Sequence, residues 1–283
     1  MMDPDLLAVA LRALVYVGAI GTAGGVLFSL SFPQAALHVE RCLHRQILLC
    51  CWLLVLVEPL RYVAFQLAVA EGDWTVAFAP DMRWMALQTA IGQAAALRVI
   101  AAVVMLATSL RWPGFSLAAA LIMIGSFVME GHTMSSGRWL VVAPLLLIHF
   151  AAICWWLGAL YPLLDLTRRA PPELVVETMR TFGQRAAGIV GVLLVVGAAL
   201  LIVLCGGELR PDSAHQQRFI IKLALVAALL SLAAWNKLRL TPLLAESYAS
   251  GAARLRRSIR GEMTIAIAIL AATAWIVSTS PSE

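Results

Sequence analysis

The run Met129-Glu130-Gly131-His132-Thr133-Met134 sets an imidazole between two thioethers, with a carboxylate beside them. Thioether and imidazole form a soft-to-borderline ligand set that suits Cu(I) far better than Mg²⁺ or Ca²⁺. Gly131 lets the backbone turn at that point. Six residues before Met129, Met123 offers a third soft ligand. Further along, His149 lies inside the apolar stretch that runs from Trp139 to Leu163. If a helix begins near Trp139, a rise of ~1.5 Å per residue puts His149 ~15 Å along it, near the middle of a bilayer. An ionisable group at that depth is a functional candidate by default. Trp156 shares its helix face, and Gly158 marks a place where another helix can approach closely. The candidate metal set is therefore His132, His149, Met129, Met134, Met123 and Glu130. The plainer reading of these residues is an interfacial histidine beside filler methionines, and a second histidine that packs against a neighbouring helix.

Other polar groups fall within apolar runs. Glu58 and Arg61 are three apart and share a helix face, with Pro59 between them as a local kink. Arg98 falls at a similar depth, and the three are read as an ion pair that locks helices together, or as a proton or cation relay. Lys222 and Lys237 are explained by snorkelling, and Asn236 by an interhelical hydrogen bond. Cys42, Cys50, Cys51, Cys154 and Cys205 have neither zinc-site nor disulfide spacing. Cys42, Cys50 and Cys51 could receive a soft metal, although buried cysteine is also simply a small apolar residue.

These groups need elements to position them. Of 283 residues, 61% are hydrophobic and 13% charged, with a mean hydropathy of +0.88. A soluble domain carries about twice that charged fraction, which argues against a soluble enzyme, a disordered chain and a nucleic-acid-binding domain. The apolar runs predict an all-α, polytopic transmembrane bundle of eight spans in one domain: 6–32, 47–69, 86–109, 115–131, 139–163, 183–206, 218–240 and 262–280. The first is read as a retained helix, since Met-Met-Asp-Pro-Asp lacks a positive n-region. Thirteen Lys and Arg fall in one set of loops, among them Arg168, Arg169, Arg254, Arg256, Arg257 and Arg260, against five in the other. The positive-inside rule makes the first set cytoplasmic and both termini periplasmic. The longest loops, about 164–182 and 241–261, are then cytoplasmic, the second as an amphipathic connector. No P-loop and no Asp-Lys-Thr-Gly run is present, so ATP-driven pumping is not expected and the chain is read as a non-enzyme.

In this order the residues resemble the copper resistance protein D family. The resemblance covers almost the whole chain. It rests on Gly131-His132, on His149-Phe-Ala-Ala-Ile-Cys-Trp-Trp-Leu-Gly-Ala-Leu-Tyr-Pro-Leu163, on Phe182, on Lys222 followed by Asn236, and on Leu255-Arg256-Arg257-Ser258 with Glu262 and Pro281. It departs from the family at Leu146, where many members carry an acid, and at Gln216-Gln217-Arg218, where Tyr-Gly is common. The resemblance implies an eight-helix bacterial inner-membrane protein that moves copper, with His132 and His149 as its histidines. It also implies a separate periplasmic copper-binding partner of the CopC type. A different class remains open, a haem-binding electron-transfer protein with axial histidines. His132 and His149 fall ~10 Å or more apart in depth, which counts against one bis-histidine site. A third reading is a copper-responsive subunit that transports nothing.

Overall fold

A computed structural model gives the fold and describes residues 4–108, 112–130, 138–205 and 214–278. The described elements are all helices. In chain order they are α1 (Pro4–Ser31), α2 (Pro33–His38), α3 (Glu40–Val69), α4 (Trp74–Ala77), α5 (Pro80–Gln88), α6 (Ala90–Thr108), α7 (Pro113–Met129), α8 (Trp139–Gly158), α9 (Leu160–Arg169), α10 (Pro172–Cys205), α11 (Ala214–Trp235), a π turn (Asn236–Leu240), α12 (Thr241–Glu246) and α13 (Tyr248–Ser278). Seven stretches are long and apolar enough to cross a membrane, namely Leu6–Ser31, Glu40–Val69, Ala90–Thr108, Trp139–Arg169, Pro172–Val203, Gln217–Glu246 and Tyr248–Ser278. The eighth expected span is α7, an apolar helix of 17 residues. At ~1.5 Å per residue it is about 25 Å long, just under the ~30 Å of a hydrocarbon core.

The helices are turned inside out relative to a soluble bundle. On α3, Leu49, Trp52, Leu56 and Leu60 are exposed, while Ile47, Cys51, Leu54, Glu58 and Arg61 on the opposite face are buried. Both rows follow the three-and-four spacing of a helix face. Lipid gives no reason to hide leucine and every reason to hide a charge.

Helix α1 packs against α3, α7, α8 and α13, so it joins the first half of the chain to the second. Its crossing with α8 is set by two glycines. A Cβ on Gly24 would lie 2.4 Å from Cα of Gly158, and a Cβ on Gly158 would lie 2.4 Å from Cα of Gly24. Gln46 spans the crossing, donating from Nε2 to the carbonyls of Gly21 (2.8 Å) and Gly158 (3.1 Å). Small residues permit such backbone contact between membrane helices. The close approach expected at Gly158 is thus present. Gly158→Leu is expected to separate α1 from α8 and abolish the monodisperse peak on size-exclusion chromatography, whereas Gly188→Leu, where a Cβ meets open space, should leave it.

Three expected boundaries differ. The predicted span 86–109 is broken at Thr89, whose hydroxyl bonds the Ala86 carbonyl (2.6 Å) and accepts from the Gly92 amide (3.1 Å), so α6 starts afresh. The predicted loops 164–182 and 241–261 are largely helical, because α9, α10, α12 and α13 continue past the apolar runs into charged sequence. At the other end α3 stops where Gly72 adopts φ +86°, its amide bonding the Leu67 carbonyl at 2.8 Å. Only glycine takes that conformation at little cost. Asp73 then caps α4, and hydrogen bonds from the Thr75 hydroxyl and the Thr75 and Val76 amides hold its carboxyl below the ordinary value. A lowered carboxylate supports the cap at neutral pH and loses that support as pH falls through the lowered value.

Candidate functional site

Four charged groups inside the bundle, Glu58, Arg61, Arg98 and Glu130, form a ring of alternating sign. Arg61 on α3 makes a two-pronged contact with Glu130 (Nη1 to Oε1 and Nη2 to Oε2, both 2.9 Å) and reaches Glu58 at 3.4 Å. Arg98 on α6 bonds Glu58 through Nε and Glu130 through Nη2, which closes the ring. Its remaining nitrogen donates to Ser126 Oγ at 3.2 Å, and its guanidinium lies 5.0 Å from the Phe127 ring centroid. Arg98 is 0% and Glu58 1% exposed. Arg12 and Tyr16 of α1 lie within electrostatic reach. The ion pair expected from Glu58, Arg61 and Arg98 therefore exists, with Glu130 as its fourth corner. The missing signal was arithmetic. Two arginines deep in spans against one glutamate leave one acid to be found, and Glu130 supplies it.

That placement bears on the expected metal set. Both Glu130 oxygens are engaged by guanidinium groups. Glu130 follows Met129, the last residue of α7, so the ring ties down the end of that helix. Met129 is half-buried there, and Met123 is 0% exposed in the core with Met105, Ala120 and Phe127. His132 and Met134 lie outside the described residues.

His149 sits eleven positions into α8, its ring edge-on to Phe150 at 6.2 Å. Phe150 in turn stacks on Phe127 at 4.7 Å, on the side of α8 that faces the Met123 core. Around His149 the neighbours differ. Val142, Leu145 and Leu146, one and two turns earlier, pack with Val196 and Leu200 of α10. Trp156, two turns later, packs with Leu229 of α11 and Ile269 of α13. One turn after His149, Ile153 packs against the core that holds Met123, so α8 meets both sets of neighbours around His149. The Nδ1 atom of His149 is buried and has no hydrogen-bond partner among the described residues. Lys222 on α11 is close enough to act on it electrostatically, and its ammonium lies 5.7 Å from the Phe219 ring. Sequence reasoning missed this neighbour, because snorkelling accounts for a lysine near a helix end without asking which helix it meets.

Among the described residues Cys42, Cys50, Cys51 and Cys154 are free thiols. Cys51 lies 3.7 Å from the Thr22 hydroxyl, and Cys51 and Cys154 are both in the core around α1. Among the described residues no three His, Cys, Asp or Glu side chains gather as a metal site.

The fold and these groups define a multi-pass helical membrane protein that turns ionisable residues to its interior. Residues 1–142 match the family model described as copper resistance protein D-like, N-terminal domain, and residues 176–276 match copper resistance protein D. The chain belongs to the copper resistance protein D family. The two matches flank residues 143–175, where the His149–Leu163 run stands. No curated protein matches the chain significantly, and no solved structure does.

Proposed function

We propose that the protein moves copper across the bacterial inner membrane, with eight spans and both termini in the periplasm. The observation that carries the reading is the lone, buried Nδ1 of His149 in the middle of α8, within a chain of a copper resistance family. Buried polar atoms in native proteins have partners, and a neutral imidazole nitrogen is a metal ligand. In this reading copper, as Cu(I), is taken up at the periplasmic mouth by His132 with Met129 and Met134. It then passes to His149. Glu130 holds the mouth in place through the charge ring instead of ligating the ion. Met123, buried with Met105 and Phe127, supports the core.

Lys222 gives His149 a second property. An ammonium group nearby opposes a bound cation, so His149 binds copper weakly enough to release it, as conduction through successive sites requires. Each site then delivers the ion instead of storing it. The donor on the periplasmic side is a separate copper-binding chain of the CopC type.

The test is a titration of the detergent-purified protein with Cu(I) against a chromogenic competitor. Wild type should bind copper, and the His132→Ala/His149→Ala double variant should lose that binding while eluting as a folded species. Equal binding by both proteins would remove the ligand assignment.

A further inference from the structure

A second buried carboxylate lies far from the charge ring, at the arginine-rich end of the bundle. Glu262 on α13 is 4% exposed, and Asn236, the first residue of the π turn, is 8% exposed. Asn236 donates from Nδ2 to Glu262 Oε1 at 2.8 Å. Both line a cavity of about 440 Å³, walled by apolar side chains including Trp156, Phe182 and Leu230. Among the described residues Glu262 has no ion-pair partner. A lone ionised carboxylate in apolar surroundings is expensive and is neutralised instead.

The charged groups on the surrounding elements are engaged elsewhere or exposed. Lys237 on the π turn lines the same cavity but is exposed. Arg239 and Glu246 are exposed, as are Arg254, Arg257 and Arg260 on α13 itself. Asp165 pairs with Arg169 on α9. Arg256 reaches the Thr167 carbonyl, and Arg185 of α10 reaches that of Ser31. Arg12 on α1, and Arg218 and Lys222 on α11, stand toward the opposite ends of their helices.

Asn236 supplies the second, independent observation. Its Oδ1 is buried and accepts no hydrogen bond among the described residues. An amide and a carboxylate share one hydrogen bond, because the carboxylate has nothing to donate. An amide and a carboxylic acid can share two. A proton on Glu262 is the donor that Asn236 Oδ1 lacks. The site also sits on a π turn, a deviation that recurs at functional positions. Here the turn ends just ahead of Pro242 in α12, which has no amide hydrogen to give.

We propose that Glu262 is a proton-exchange site. In one state its carboxyl carries the proton as a neutral acid and donates it to Asn236 Oδ1. In the other, the O–H bond breaks, the proton leaves to water through the cavity beside Lys237, and the carboxylate keeps the Asn236 Nδ2 bond. Its use to drive copper movement rests on the transport reading above, whereas the proton site does not.

Infrared difference spectroscopy of the full chain in a bilayer tests the site. Wild type at neutral pH should show the carbonyl stretch of a protonated carboxylic acid, which fades as pH is raised. Glu262→Gln should lose that band. Glu262→Asp, the variant to use if the glutamine protein does not fold, should move it in frequency. No such band in wild type, or the same band in both variants, overturns the proposal. Copper flux into liposomes tests the coupling separately. Glu262→Gln should bind copper as wild type does but lose the pH dependence of flux. A lost band with unchanged pH dependence would keep the proton site and overturn its coupling to copper.

Discussion

Arg98→Met is expected to destabilise the protein by about 3–5 kcal/mol, the usual result of removing one partner from a buried ion pair. The number follows from what is left behind. Arg98 contacts both acids of the ring, so its loss strands charge on Glu58 and on Glu130. Glu58 keeps only the longer contact to Arg61, at 3.4 Å. Water cannot compensate, because Glu58 is 1% exposed. Arg98→Lys keeps the charge but cannot address both carboxylates and Ser126 with a planar fork, and its unfolding temperature should fall between the other two. A triple variant with Glu58→Gln and Glu130→Gln added to Arg98→Met removes the stranded charges and should recover part of the loss. Thermal unfolding in detergent reads all of these. An unchanged unfolding temperature in Arg98→Met would mean that the ring is solvated and contributes little. If copper enters at His132 as proposed, the same variant should weaken its capture, since Glu130 stands two residues before His132 and loses one of its two anchors.

The ring also marks how far the sequence could be read. Apolar runs located the long apolar helices because hydropathy registers the bilayer directly, and seven of them are long enough to cross it. The run also predicted His149 deep within α8, and depth along a helix is fixed by counting residues. The side of the helix that meets a given neighbour is a different matter. Met123 is buried in the core around α1, while the α8 residues on either side of His149 are divided among three clusters, a division that residue counting does not show. Glu130 was legible as a carboxylate beside a histidine, but its engagement by arginines 32 and 69 residues away needed three helices to be placed. The helical content of 164–182 and 241–261 was missed for a simpler reason. A membrane helix does not end where lipid ends, and charged sequence can carry it on into the headgroups and beyond. The Asn236 bond to another helix was expected, while the identity of its partner, Glu262, was not.

His149→Ala is expected to abolish copper flux without preventing insertion or folding. Insertion is not at risk, because removing an imidazole from the membrane interior lowers the cost of placing α8 there. Among the described residues Nδ1 has no hydrogen bond to lose, so the folding cost is confined to the packing of the ring against Phe150. The lost group is a direct ligand in the proposed path, so flux into liposomes should fall by at least the roughly 10–100-fold that a lost outer-shell partner alone costs a metal site. His149→Met restores a soft donor and should recover part of the flux, which a purely structural role for the imidazole would not explain. Lys222→Met separates the two properties of the site by sign. Without the ammonium, copper at His149 is no longer opposed by a neighbouring positive charge, so equilibrium binding should tighten while flux slows. Tighter binding with faster flux would contradict the idea that Lys222 sets release. Normal copper flux in His149→Ala would remove His149 from the path and leave the periplasmic mouth as the sole copper site of the present reading.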